Sequence, residues 1–336
     1  MRISLIAKYR FRFLRTAQTW IEKGAPFFAP LSWGWGFFSF WKNRLYDKRI
    51  LPIHSVPCTV VSIGNIVAGG TGKTPLVHLL AKQFLSRKVA ILIRGYGVIA
   101  DEALLLARRL PFLKVYVGKD RAAAARKALG DGMELLILDD GFQHRRLHRD
   151  FDLVILRGGD PFGKGHYLPW GFLRDSPKRL SGVDAIFAQG VCSALLNTPH
   201  ITLEPTVTRI LDFQEKEIET IFEWQVGVFC GIGNPESFKK TIRDLGGKVV
   251  DTWILADHAP ADTKALQKFS LHCKSLGAKA LVCTEKDFVK LSVNTSLSLP
   301  ILFLEIELRI AEGHLLWQKL IEKIDQRIDN TCQYDR

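Results

Sequence analysis

The chain is short of several things, and each shortage excludes a class of protein. Its six cysteines, at 58, 192, 230, 273, 283 and 332, form no C-x-x-C pair and stand at no zinc spacing with histidine. A structural zinc module is therefore set aside, and the cysteines read as reduced thiols of a cytosolic chain. No segment repeats at a period of roughly 20–50 residues, which removes solenoids and propellers, and no stretch is of low complexity. Acids are scarce, with 34 Asp and Glu against 47 Lys and Arg, for a formal net charge of +13. That excess favours an anionic partner: a nucleic acid, an acidic membrane surface or a phosphorylated substrate. A run long enough to cross a membrane is also missing. The uncharged stretch from Ala25 to Trp41 has 17 residues, below the about 20 that a spanning helix needs.

What is present makes a large core. Of 336 residues, 47% are apolar, enough for two α/β domains and against global disorder. The short uncharged stretch, APFFAPLSWGWGFFSFW, is dense in Phe and Trp and broken by Pro26, Pro30, Gly34 and Gly36. Arg2, Lys8, Arg10, Arg12, Arg15 and Lys23 precede it, and Lys42, Arg44, Lys48 and Arg49 follow. Aromatic rings suit the headgroup boundary and flanking cations suit anionic lipid, so residues 1–45 read as a membrane-surface segment. The rivals are a core helix with an aromatic face and a signal peptide. The latter is disfavoured because no small-residue cleavage site precedes a secreted domain.

Beyond residue 45 the pattern alternates between short apolar runs and amphipathic helices. Strands are expected at Cys58–Ile63, Val89–Ile93, Leu113–Val117, Leu135–Leu138, Leu153–Leu156 and Ala185–Ala188. Helices are expected at Thr74–Arg87, Glu102–Arg109 and Arg121–Ala128. The alternation means mostly parallel sheets with helices on both faces. Around residues 204–225 it weakens into a strand-like linker, and a second α/β series runs through 226–336. The expected architecture is two α/β/α sandwich domains: a P-loop-type domain over 46–203 and a smaller C-terminal domain, behind the N-terminal segment.

The organising stretch is Val60 to Ala81, VVSIGNIVAGGTGKTPLVHLLA. It reads as a buried strand, a glycine-rich turn and a helix start. Glycines let backbone N–H groups curl around anionic oxygens, and the helix N-terminus adds its positive dipole end. A lysine there reaches β/γ-phosphates and a threonine ligates Mg2+. Ala68, Gly69, Gly70, Thr71, Gly72, Lys73, Thr74 and Pro75 are thus the ATP-binding candidates. The consensus G-x-x-x-x-G-K-[ST] asks for glycine at 67, where this chain has Val67. A second element, LLILDDG at 135–141, sets Asp139 and Asp140 at a strand's C-terminal end, as a Walker B acid pair does. Directly after it FQHRRLHRD, Phe142 to Asp150, crowds His and Arg beside the same edge. RGYGVIADE, Arg94 to Glu102, offers two acids whose spacing does not separate a base from a metal ligand. Alone, that ADE is an ordinary helix start. ADHAPAD carries His258, by itself an ordinary loop histidine.

Together and in this order, these segments resemble the tetraacyldisaccharide 4′-kinase family. The likeness rests on PLSW, SIGNIVAGGTGKTP, RGYG, LDDGFQHRRLHRDFDLVIL, FGKGHYLPWGFLRD, FCGIGNPESF, ADH and TEKDFVKL. GGTGKTP is shared with many nucleotidases, whereas DDGFQHRRLHRD, the FGKG-to-LR segment and GIGNP are particular to the family. The resemblance implies transfer of the ATP γ-phosphoryl group to the 4′-hydroxyl of a tetraacyldisaccharide 1-phosphate, giving lipid IVA. It implies ATP and Mg2+ as cofactors, and work at the cytoplasmic face of the inner membrane against an anionic surface. No nucleic acid is expected as a partner, and a monomer is expected. By resemblance, Lys73 is catalytic, Asp101 is the catalytic aspartate and His258 its partner. Thr74, Asp139, Asp140 and Glu102 form the metal set. Asn65, Arg94, Tyr96, Arg121, Gln143, His144 and Arg174 are substrate candidates. Two departures stand out. Only Val98, Ile99 and Ala100 separate RGYG from Asp101, and Asp175 stands where relatives often carry Glu. A P-loop NTPase switch acting on a protein partner would share the loop and the acids, and is the alternative.

Overall fold

The computed structural model describes residues 26–94, 101–255, 261–291 and 297–334, with the side chains of 101, 102 and 332–334 left aside. The chain forms two compact units. The first comprises Met1–Gly95, Phe112–Glu204 and Ile310–Arg336, and the second Tyr96–Pro111 and Pro205–Arg309.

In the first unit, helix α1 spans Ala29–Asp47. Strands β1 (Thr59–Gly64), β2 (Val89–Ile93), β3 (Lys114–Val117), β4 (Leu135–Asp139), β5 (Phe151–Arg157) and β6 (Ala185–Gln189) follow, with the first residues of β7 (Ile201–Asp212). They lie in the order β3-β2-β4-β1-β5-β6-β7, every neighbouring pair parallel. TVVSIG of β1 and LLILD of β4 are buried along their whole length, as central parallel strands covered on both faces must be. The helix after the glycine-rich turn, α2, spans Lys73–Ala81, and α4 spans Arg121–Gly130. The sequence suggests continuation to Arg87, but a 3₁₀ turn over Lys82–Phe84 closes it. The terminal helix α8, His314–Tyr334, also packs on this unit, where Ile324 and Ile328 are fully buried. Arg87 pairs with Asp325 and Asp329, and Arg327 with Asp150.

The second unit holds α3 (Asp101–Arg109), the rest of β7, β8 (Gln225–Cys230), β9 (Lys248–Ile254), β10 (Ala280–Thr284) and β11 (Ile301–Glu312). Its strand order is β7-β11-β10-β8-β9, and β11/β10, β10/β8 and β8/β9 are parallel. Helices α5 (Pro235–Asp244) and α6 (Thr263–Ser275) are capped by Asn234 and Asp262, whose side chains accept from Ser237 N and Ala265 N.

Residues 101–111 fall in the second unit, and the C-terminal helix in the first. Both are long-range docking events that strand and helix periodicity do not encode. One consequence is direct: Asp101 begins a helix of the same unit that holds β9 and α6, the elements flanking His258 in the chain.

Candidate phosphate-binding site

The register of β1 against β4 places the site. Ile63 pairs with Asp139, so the glycine-rich turn leaving β1 and the acids ending β4 emerge at one sheet edge. Gly72, at φ 84°, adopts left-handed backbone that only glycine enters readily, and α2 starts at the next residue. Thr74 Oγ1 donates to Asp139 Oδ2 at 3.2 Å. Lys73 Nζ lies 3.6 Å from Asp140 Oδ1. Arg174 forks onto the same carboxylate, Nη1 to Oδ1 at 3.0 Å and Nη2 to Oδ2 at 3.1 Å. Asp140, expected beside Asp139 as a metal acid, is therefore held by two cations. Burial would raise its pKa, but Lys73 and Arg174 more than offset this and hold it below the usual carboxylate range.

The turn is braced from several sides. Asn65 Nδ2 donates to Thr71 Oγ1 at 2.9 Å, and Arg174 Nη1 reaches Asn65 Oδ1 at 3.4 Å. Gln143 Nε2 donates to the Asn65 carbonyl at 2.7 Å. Arg157 Nη2 donates to the Gly70 carbonyl at 2.6 Å. The segment before the glycines is strand-like. Val67 bridges Leu173, and Ala68 N donates to Phe172 O at 2.7 Å. Val67 is buried among Ile66, Phe142, Val154 and Leu173, which explains its departure from the consensus: the position calls for an apolar strand residue, not a left-handed glycine.

Several of the predicted residues make structural bonds around the turn. Asn65 is fully buried, and its side chain shapes the turn. Arg121 is buried too and supports the β4 end from behind, donating Nη2 to the Asp139 carbonyl at 2.6 Å. Arg94 is exposed after β2. Tyr96 and His258 lie outside the described residues, and Asp101 and Glu102 are placed by backbone alone. His144 Nε2 is buried and meets no hydrogen-bond partner among the described residues. Burial and then the positive charges of Arg121, Arg149 and Arg146 push its pKa down to about 4. One brace has no signal in the sequence and another only a partial one. Arg157 ends β5 and looks like any strand-end arginine. Arg174 was named, but its bidentate grip on Asp140 spans 34 positions and has no local signature.

A divalent cation fits this edge. Asp139 is a buried carboxylate at a strand end, already bonded to the loop threonine. Among the described residues no group of three or more His, Cys, Asp or Glu gathers into a cage. Mg2+ does not require one, because it is commonly held by one or two protein oxygens together with phosphate and water.

Comparison with known proteins decides the family. The sequence model described as "Tetraacyldisaccharide-1-P 4'-kinase" matches residues 25–325. The chain belongs to the tetraacyldisaccharide 4′-kinase family. A relative named tetraacyldisaccharide 4′-kinase from Chlamydia abortus is 36% identical, over 88% of this chain and 92% of its own. One from Syntrophus aciditrophicus is 35% identical, over 80% of this chain and 85% of its own. A solved structure of LpxK from Aquifex aeolicus, in complex with ATP, superposes with a TM-score of 0.69 at 28% identity, covering 88% of this chain and 98% of that one. The chain is thus a kinase-family enzyme with the family's mostly parallel α/β fold.

The low pKa of His144 has a measurable sign. The ring is neutral in the folded protein where an unfolded chain at pH near 6 binds a proton, so its contribution to stability is complete above about pH 6.5 and is lost as pH falls toward 4. Replacing His144 with Gln is expected to flatten the urea-midpoint-against-pH curve between pH 6.5 and 4. An unchanged slope in the variant contradicts the shifted value.

Proposed function

We propose that this chain is an ATP-dependent kinase that phosphorylates the 4′-hydroxyl of a tetraacyldisaccharide 1-phosphate, giving lipid IVA. The observation that carries the reading is the Thr74–Asp139 hydrogen bond. It brings the loop's hydroxyl and the β4 carboxylate to one point beside Lys73, in a chain whose family is named for this transfer.

The turn from Ala68 to Pro75 cradles the ATP phosphates, with backbone N–H groups and the α2 N-terminus facing the anionic oxygens. Lys73 leaves Asp140 to bind the β- and γ-phosphates. Thr74 and Asp139 would hold Mg2+, with Glu102 in its outer shell, and the ion supplies charge neutralisation on the phosphates. Asp140 keeps Lys73 and Arg174 aligned while the site is empty of phosphate. Asp101, oriented by His258, takes the proton of the sugar hydroxyl as its oxygen attacks. The new P–O bond forms at the γ-phosphorus as the bond to the β–γ bridging oxygen breaks, and ADP leaves. Gln143, His144 and Arg174 supply polar contacts for a substrate that already carries a phosphate.

The acylated substrate is presented at an anionic membrane surface, and α1 supports that placement. Its small and polar residues face the protein: Ser32 donates to the Tyr167 carbonyl at 2.7 Å, and Ser39 and Asn43 reach Asp175 Oδ1 at 3.4 and 2.9 Å. A Cβ on Gly36 would lie 2.8 Å from the Tyr167 ring, so the helix packs closely there. Trp33, Phe37, Phe38, Phe40 and Trp41 face outward, each between 48% and 69% exposed. A helix that buries serines and exposes Trp and Phe is inside-out for water and suited to a lipid boundary. The proposed attachment is by the outward aromatic face of α1, at the cytoplasmic face of the membrane; no helix among the described residues is long and apolar enough to cross one.

The test of function is direct. Purified protein, ATP, Mg2+ and the tetraacyldisaccharide 1-phosphate in detergent should yield a product bearing a new phosphate at the 4′ position, read by mass and by phosphorus NMR. Asp101→Ala and His258→Ala should each lower kcat by about 10²–10⁴-fold while the KM for ATP stays within a few-fold. No product from folded wild-type protein defeats the assignment, and full turnover in both variants removes the pair. For the membrane, the triple variant F37S/F40S/W41S should lose most of its cosedimentation with phosphatidylglycerol vesicles while keeping its fold by circular dichroism. Undiminished binding places the contact elsewhere.

A further inference from the structure

The segment TEKDFVKL at 284–291 of the second unit has no part in the chemistry above, yet its first acid is buried and multiply bonded. Glu285 is 4% exposed and opens the short helix α7, Glu285–Phe288, directly after β10. Both arginines at the end of α3 converge on it. Arg109 Nε donates to Glu285 Oε2 at 2.7 Å, and Arg109 Nη2 and Arg108 Nη1 grip the same carboxylate. Arg109 Nη1 also donates to the Ile306 carbonyl at 2.9 Å. Arg108 lies over the Phe303 ring at 4.6 Å from its centroid and over Phe288 at 5.6 Å, and its Nε meets Glu215 at 3.1 Å.

A carboxylate buried this far is favourable only with its charge matched and its lone pairs used, and planar guanidinium forks match it in a fixed orientation that a lysine does not reproduce. The clamp therefore fixes the last turn of α3 both along and around its axis. The first residue lies eight positions back from Arg109, about 12 Å at the rise of an α-helix, and a helix so short moves as a rod. Its first residue is Asp101. We propose that Glu285 is a positioning residue for Asp101, acting through Arg108 and Arg109. The inference rests on the assignment of Asp101 as the group that takes the acceptor proton. It adds that Asp101 takes its placement from the second unit's own core, the unit whose β9 and α6 flank His258.

The experiment is a double-mutant cycle on the full-length enzyme, with Glu285→Gln and Asp101→Asn. Displacing a catalytic group by about 1 Å costs on the order of 10²-fold, so Glu285→Gln is expected to lower kcat about 10- to 100-fold, with the KM for ATP within about twofold. In the Asp101→Asn background the same change should cost less than about twofold, because there is no longer a base to misplace. Amide hydrogen exchange should accelerate in α3 and stay unchanged in β8 and β10. Equal losses in both backgrounds mean general damage and overturn the proposal, as does an unchanged kcat in Glu285→Gln alone. Failure of the underlying assignment is seen separately, as full kcat in Asp101→Asn alone. Should Glu285→Gln not fold, Arg109→Lys keeps the charge and removes the fork, and the same cycle is read with it.

Discussion

Two parallel strands ending level at one sheet edge are what the rest of this protein depends on. β1 and β4 pair with Ile63 opposite Asp139, so a glycine turn and a pair of acids face each other without any further device. Shift that register by one residue and the side chains of β4 exchange faces. Thr74 would lose Asp139, and Lys73 and Arg174 would lose Asp140. The burial of both strands along their whole length keeps the register in place. The polar braces then refine it, Arg121 from behind the strand and Asn65, Gln143 and Arg157 around the turn.

Around this edge the molecule divides its labour. The first unit carries the phosphate cradle, and against the same unit packs a helix whose aromatic face is left to the outside. The ties of α1 end close to the site: Lys42 donates to the Gln143 carbonyl, and Ser39 and Asn43 hold Asp175, the neighbour of Arg174. The second unit carries the helix of Asp101, secured by a buried carboxylate. Under the proposed function, donor binding falls to the first unit and removal of the acceptor proton to the second, each with its own means of fixing geometry.

Local chemistry made the glycine turn, the strand-end acids and the strand–helix alternation legible, because each is written in consecutive residues with a fixed spacing. The family resemblance was legible in longer motifs such as DDGFQHRRLHRD. What stayed hidden depends on residues far apart in the chain. The fork of Arg174 onto Asp140 joins residues 34 positions apart. The amide of Asn65 braces Thr71 inside the turn, a bond that the motif alone does not announce. Val67 departs from the loop consensus and is a buried bridge partner of Leu173. The aromatic run of α1 was plain, but which face it turns outward follows from the serines and glycine that pack on Tyr167 and Asp175. The allegiance of α3 to the second unit is carried by Arg108 and Arg109, which in the sequence are only two basic residues ending a helix.

The central claim is that the phosphate cradle serves a lipid-sugar acceptor and not a regulatory hydrolysis cycle. The measurement that separates them is ADP release by purified protein with ATP and Mg2+, with and without the tetraacyldisaccharide 1-phosphate in the same detergent. The account predicts ADP formed one-for-one with phosphorylated acceptor and little ADP without it. Acceptor-independent hydrolysis of ATP or GTP, accelerated by an added protein, would contradict it.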